Sequence, residues 1–435
     1  MNARETLKVN DLNHLEIGGI DCIDLVRDFG TPLYVMDQAY IENMCSTYKC
    51  ALEKFYGDGM IAYASKAFSC KAIYRIINDQ GIGCDSVSGG ELYTAIKAGF
   101  PMGKVCLHGN NKSIQELALA VDSGVKYIVL DSYSEADKLN ELCVQKKLRQ
   151  NVLIRVNPGV EAHTHHFIQT AKIDSKFGFS ISSGEAEQMV KHVINKSNLN
   201  LVGLHCHIGS QIFEDKSFTL AVEKMTDFYK HLKETSKIEF DVLNLGGGFG
   251  IYYAEGDVKK SCRDYAGYIK NISETLLNCI KKKNIKKPYL ILEPGRSIVG
   301  EAGITLYSVG SIKEIKDVKK YVAIDGGMFD NPRYALYQAK YTVVKANDMS
   351  SPRTEKYSIA GKCCESGDFI GKDIMIQKPQ RDDILAVFTT GAYNYSMSSN
   401  YNRNPRPAMV VIEDGIDRIA VRRQTYEDIV AFDVQ

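Results

Sequence analysis

The sequence predicts an α/β protein, a (β/α)8 barrel of the TIM type followed by a second, mainly antiparallel β domain. Two observations carry that reading. From Met60 onward, short apolar runs bounded by polar or glycine-rich residues alternate with longer helical patterns, and beyond about Ala302 the alternation gives way to β-rich runs with turn signals. Eight strand–helix units close most naturally into a barrel.

The barrel strands are expected, in order, at "MIAYASK" (Met60 to Lys66), "IGCDSVS" (Ile82 to Ser88), "KVCLHG" (Lys104 to Gly109) and "YIVLDS" (Tyr127 to Ser132). They continue at "VLIRVNP" (Val152 to Pro158), "LVGLHCHI" (Leu201 to Ile208), "VLNLGGG" (Val242 to Gly248) and "YLILEPG" (Tyr289 to Gly295). Helical stretches such as "SGGELYTAIKAG" and "SISSGEAEQMVKHVINK" lie between them, and their serines followed by acids read as N-terminal caps. The later runs "ITLYSVGSIKEI", "KYVAIDGG", "KYTVVKA", "KYSIAG" and "RIAVRRQ" supply the second domain. The expected boundaries are 35–302 for the barrel and 303–435 for the β domain, with 1–34 packing alongside the latter.

Composition narrows the function. A chain of 435 residues with 44% hydrophobic and 25% charged residues is an ordinary globular protein with room for a large core. Lys+Arg 54 against Asp+Glu 53, with no basic run, argues against a nucleic-acid partner. The 12 cysteines are scattered without a CxxC, and the adjacent Cys363 and Cys364 lack zinc-ligand spacing, so free thiols in a reducing cytosol are expected. The polar start "MNARETLKVNDLNHLEIGG" has no apolar signal core and no run is long enough to cross a bilayer, so a soluble cytoplasmic protein is expected.

In this fold, catalytic groups stand at the carboxyl ends of the strands, and the loops after strands seven and eight commonly hold a phosphate. By that rule Lys66, His207 with Gly209 and Ser210, Gly246 to Gly248, and Glu293 with Arg296 converge on one mouth. Glycines let backbone N–H groups approach an anion, and a guanidinium pairs with phosphate oxygens. A lysine able to form a Schiff base and a carboxylate able to keep a pyridine nitrogen protonated are what pyridoxal phosphate chemistry requires.

Each feature also has a plainer explanation. A lone "GGGFG" is more often a tight turn, and a lysine after a strand is usually a solvated rim charge; Lys71, Lys104 and Lys112 compete with Lys66. His205 and His207 share a strand face by period two, and with His163, His165 and His166 of "HTHH" they suggest metal. No further ligand stands at a spacing that demands one, so barrel filling or ligand stacking is favoured and no metal site is expected.

Taken together, "YASKA", "SGGEL", "HCHIGSQ", "LNLGGGFG", "LEPGR", "DGGMFDNPRYALY", "CCESGD" and "GAYNYSMSSNYNRNPRP" resemble the diaminopimelate decarboxylase family. That family lies in the alanine-racemase-like, fold-type III group of pyridoxal phosphate enzymes, and the likeness spans essentially the whole chain. The resemblance implies decarboxylation of meso-2,6-diaminopimelate to L-lysine and CO2, the last step of lysine biosynthesis, by a homodimer with its active sites at the interface. Position by position, Lys66 matches the lysine that bonds the cofactor and His207 the imidazole that stacks on its ring. Ser210, Gly247 and Gly248 match phosphate-binding positions, and Glu293 matches the acid at the pyridine nitrogen. Arg296 matches the arginine beside the phosphate and the substrate carboxylate, and Tyr393 a tyrosine that contacts the cofactor. Arg333 and Tyr337 match residues holding the distal end of the substrate. Cys364 matches the catalytic cysteine and Glu365 its neighbouring acid, both entering from the partner subunit. The chain departs from the family pattern at Phe68, where a small polar residue is common, and at Ala171, where glycine is usual.

The same residues weigh against three rivals. Decarboxylases of this fold that act on ornithine, arginine or a carboxylated polyamine tend to carry aspartate after the catalytic cysteine, unlike "CESGD". A racemase needs a second acid–base group on the opposite face, and nothing singles out Tyr393 or Tyr337 for it. A catalytically silent homologue would be expected to have lost the lysine or the cysteine, and both are present.

Overall fold

Strands buried on both faces carry unbroken apolar runs, and all eight expected barrel strands form. The computed structural model describes residues 6–160, 175–254 and 264–434; His163, His165, His166 and Ala171 lie outside them. The strands run Gly59–Ala64, Gly83–Ser86, Val105–Leu107, Tyr127–Leu130, Gln150–Asn157, Leu199–His205, Val242–Asn244 and Tyr289–Leu292. Every neighbouring pair is parallel, and the last strand pairs with the first, so the sheet closes. Met60, Ala62, Cys106, Tyr127, Val129, Leu153, Val242 and Ile291 pack as one buried cluster.

The strands stop earlier than the sequence suggests. The ladder of the first ends at Ala64, and Ser65–Ala67 forms a single 3-10 turn. His205 is the last residue of the sixth strand, so His207 lies beyond the ladder instead of on the same strand face. Lys66, His207, Gly246 to Gly248 and Glu293 therefore stand on the turns that leave the strands. Ser88 does cap its helix, accepting from Glu91 N. The helix Glu185–Ile194 instead starts from Gly184 at φ +81°, with no side-chain cap, because glycine takes a left-handed turn that the preceding serines resist.

The chain divides into two units. One comprises Met44–Gly250 with Ser261–Gly295, and the other Met1–Asn43, Ile251–Lys260 and Arg296–Gln435. In the second unit Leu33–Asp37 lies inside the sheet, antiparallel to Gly303–Ile315 and parallel to Ala408–Glu413. Strands Lys319–Ile324, Glu355–Ala360, Phe369–Ile376, Val343–Lys345, Ile384–Phe388 and Ile416–Val421 complete it, mostly by antiparallel pairing.

Candidate active site

The barrel unit gathers its ionisable groups at the carboxyl ends of its strands. Glu293, directly after the eighth strand, is 5% exposed. Its Oε1 accepts from His108 Nε2 at 2.9 Å and from Asn244 Nδ2 at 2.6 Å, while His205 Nε2 stands 3.4 Å from Oε2. Burial alone would raise this carboxyl; His108, through its charge and hydrogen bond, and then His205 outweigh burial and hold it well below the usual carboxylate range. Asp85, at the end of the second strand, shifts the other way. Burial and the Glu293 charge push it well up, although Lys66 opposes them. The two carboxyls are thus driven to opposite states, with Glu293 the anion.

His108, His205 and Glu293 bring three ligand atoms within 4.8 Å of one another. Sequence spacing did not reveal this trio, because its members leave three different strands. Their arrangement is also what a buried carboxylate needs to stay ionised.

Lys66 stands in the 3-10 turn after the first strand. The turn is held by Ser65 N, which donates to Asp85 Oδ1 at 3.0 Å, and by Ala64 N, which donates to Pro294 O at 3.1 Å. The latter bond ties the Lys66 turn to the one carrying Glu293. The competing lysines are placed otherwise. Lys104 precedes the third strand and so lies at its opposite end, and Lys71 is exposed at a helix start. Lys112 is buried in an ion pair with Glu135 at 2.7 Å and donates to Gly109 O and Val129 O.

The loops after strands six and seven are laced together. Ile212 N donates to Gly248 O at 2.9 Å, and Gly250 N to Ile212 O at 3.0 Å. A Cβ on Gly247 would come 2.0 Å from Glu293 O, and one on Gly248, at φ +112°, 2.3 Å from Gly209 O. Backbone meets backbone there, so only glycine fits. Gly247 N donates to His207 Nδ1 at 3.3 Å. Burial, then the Lys66 charge, pushes His207 well below the ordinary imidazole value, so it is neutral at pH 7. Ser210 sits partly exposed in the same loop.

The β unit holds a second cluster. Arg296 donates to the Tyr253 hydroxyl and lies 4.5 Å from the ring centre of Tyr393. Arg333 lies 4.4 Å from the Tyr253 ring centre and donates to Tyr341 Oη at 3.0 Å. Both guanidinium groups are buried, at 9% and 7% exposure. Burial alone would lower Arg333, but the surrounding tyrosines Tyr253 and Tyr341 raise it instead, so it stays a cation. Tyr393 has φ +60°, a left-handed backbone that is costly for a tyrosine. Tyr337 ends the short helix Arg333–Tyr337, partly exposed.

The "CESGD" turn is pinned by its last residue. Asp368 is buried and accepts from Cys363 N at 2.7 Å and Met328 N at 2.6 Å. This leaves Cys363 inside and presents Cys364 and Glu365 outward, both exposed. Cys364 N donates to Asn402 Oδ1 at 2.8 Å. Neither residue hydrogen-bonds to the arginine cluster among the described residues. Of the groups the sequence reading passed over, His108, Asp85 and Asn244 lie at strand ends, where the rule applied to Lys66 would have found them. Tyr253 and Tyr341 carry no such signal.

A family profile described as "Pyridoxal-dependent decarboxylase, pyridoxal binding domain" matches residues 39–300. A diaminopimelate decarboxylase from Halalkalibacterium halodurans is 46% identical over 429 residues, covering 99% of this chain and 97% of that one. One from Bacillus methanolicus is 47% identical over 419 residues, covering 96% of each. Among solved structures, diaminopimelate decarboxylase from M. jannaschii in complex with L-lysine superposes with a TM-score of 0.91 at 37% identity, covering 100% of this chain and 99% of that one. With a closed barrel ending in a buried anion and near-complete alignment to these relatives, the chain belongs to the diaminopimelate decarboxylase family of pyridoxal-dependent decarboxylases.

Proposed function

We propose that this protein decarboxylates meso-2,6-diaminopimelate to L-lysine and CO2 with pyridoxal phosphate, at the end of lysine biosynthesis. The observation that carries the reading is Glu293, a buried carboxylate kept ionised on the turn tied to that of Lys66. The residues fit the cofactor. Gly247 and Gly248 leave a backbone cradle that any Cβ would fill, and Glu293 supplies the anion that a protonated pyridine nitrogen needs. When bound, pyridoxal phosphate supplies an electron sink for the pair left as the substrate carboxylate departs as CO2.

The chain's own residues do the rest. Lys66 would bond the cofactor and exchange it with the substrate amine, and Glu293 would supply the anion that keeps its ring nitrogen protonated. His207, neutral and accepting at Nδ1 from Gly247 N, would stand against its ring. Ser210, Gly247 and Gly248 would hold the phosphate; Arg296 would serve the phosphate and the substrate carboxylate, and Tyr393 the cofactor. Arg333 and Tyr337 receive the distal carboxylate, and Glu365 the distal ammonium. Cys364 delivers the proton that replaces CO2.

The protein is a homodimer in this reading, and Cys364 and Glu365 of one protomer serve the site of its partner. Their outward exposure, with no hydrogen bond to the arginine cluster among the described residues, supports that arrangement. The described cysteines, all unpaired, fit a cytoplasmic setting. The solved M. jannaschii relative in complex with L-lysine supports the product.

Purified protein given pyridoxal phosphate and meso-diaminopimelate, with ornithine and arginine in parallel, tests the reading by mass spectrometry. Lysine from diaminopimelate alone is expected. Product from ornithine or arginine instead would overturn the roles given to Arg333 and Glu365.

A further inference from the structure

The environment of Glu293 is more specific than its ionisation requires. Both strong donors, His108 Nε2 and Asn244 Nδ2, converge on Oε1, and among the described residues Oε2 is left with only the long 3.4 Å contact to His205. A carboxylate only accepts, so Nε2 of His108 carries the hydrogen at that contact. His205 does not share the task equally. Burial drives its imidazole down to about 3, so it is neutral, and its Nε2 stands at a long 3.4 Å from Oε2. It meets His108 edge to face, with ring centres 4.7 Å apart. An apolar ring would fill the same space beside His205, so packing alone does not call for an imidazole at 108. Asp85, Arg155, His207, Cys106 and Cys206 are also close enough to couple to Glu293.

His108 is also held from both sides. Its backbone N–H donates to Ser86 O at 2.8 Å. Four residues on, Lys112 locks the loop by donating to Gly109 O at 2.6 Å and Val129 O at 2.7 Å, and by its buried pair with Glu135. Buried ion pairs are expensive to desolvate and seldom raise stability, so one placed here suits the fixing of a geometry.

We propose that His108 is a positioning residue for the cofactor's ring nitrogen: it occupies one oxygen of Glu293, so that the other is the one offered to that nitrogen, and it thereby sets how tightly the ring nitrogen keeps its proton. The proposal rests on the reading that Glu293 faces the ring nitrogen. Removing His108 leaves Asn244 as the single strong donor to Glu293 and lets the carboxylate turn. The ring nitrogen then gives up its proton at lower pH, and the electron sink weakens.

The test uses holoenzyme loaded with pyridoxal phosphate labelled with 15N at the ring nitrogen. Its 15N shift and the visible absorption of the bound cofactor are followed against pH without substrate, and kcat and KM are measured separately. In His108→Phe the ring-nitrogen titration moves to lower pH, and kcat falls on the order of 10- to 100-fold, the value of one charge-assisted hydrogen bond, with KM little changed. His108→Gln, which keeps an N–H, recovers part of both. If His108→Phe does not fold, His108→Asn, too short to reach Oε1, takes its place with the same expectations.

A lowered melting temperature with an unmoved 15N titration would mean a merely structural role and would overturn the proposal. Glu293→Gln serves as the reference. If it moves the 15N signal and His108→Phe does not, the proposal fails and the reading of Glu293 stands; if neither moves it, both fail.

Discussion

Replacing Arg333 by alanine separates substrate recognition from cofactor chemistry. The guanidinium is 7% exposed, stacks 4.4 Å from the Tyr253 ring centre and gives one N–H to Tyr341 Oη. An arginine has five N–H donors in a planar fork, so most of this one remains for a carboxylate. Taking one partner from a buried, hydrogen-bonded ion pair costs about 3–5 kcal/mol, because the other charge is left unpaired. With Arg333 in the proposed role at the distal carboxylate of diaminopimelate, this lowers kcat/KM by roughly 10²- to 10⁴-fold. Arg333→Lys keeps the charge but loses the fork, and so recovers only part of the loss. The assay is steady-state lysine formation, with cofactor affinity of the apo protein measured alongside and expected to hold. Turnover of diaminopimelate by Arg333→Ala at the wild-type level would refute the reasoning. A loss confined to cofactor affinity would refute it equally.

Three further outcomes follow from the geometry. Gly247→Ala puts a Cβ 2.0 Å from Glu293 O; backbone must move by more than 1 Å, and misplacement on that scale costs on the order of 10²-fold in rate, so kcat and cofactor affinity should fall together. Asp330 is fully buried and its carboxyl is pushed up to about 8 by burial, although Gly327 N and Tyr307 hydrogen-bond to it and oppose this. Because the folded value lies above the unfolded one, its contribution to stability is complete below about pH 4 and is lost as pH rises through 8. Between about pH 6 and about pH 8 that loss is about 2–3 kcal/mol, and urea midpoints of Asp330→Asn should fall less over this interval than those of wild type. Mixing Lys66→Ala with Cys364→Ala chains should restore part of the activity that each lacks, because in the proposed shared-site dimer a mixed pair holds one intact site; no recovery after confirmed exchange of subunits would place both residues in one protomer's site.

Much of the barrel was legible because its strands are buried on both faces, and runs such as "VLIRV" and "YLILE" have one reading. The strand ends were less legible. Where the ladder stops at Ala64 or His205 depends on hydrogen bonds between strands, which a local pattern does not contain. In the β unit, Phe369–Ile376 is interrupted by Gly371 and Asp373, which blurs its alternation, and Ala408–Glu413 follows a proline-rich turn that draws attention from it. Single site residues announced themselves only where a motif surrounded them, as with Lys66 in "YASKA" and Glu293 in "LEPGR". His108 sits in an unremarked "LHG", and its importance appears only once Glu293 and Asn244 arrive from strands more than a hundred residues away. Tyr253 and Tyr341 likewise gain meaning from the arginines they meet.

The central claim is that this barrel mouth binds pyridoxal phosphate through Lys66. Borohydride reduction of the loaded enzyme, followed by peptide mass mapping, tests it most directly. The added mass is expected on the peptide containing Lys66, and none after Lys66→Ala. Label on Lys71, Lys104 or Lys112 instead, or label that persists in the variant, would contradict it.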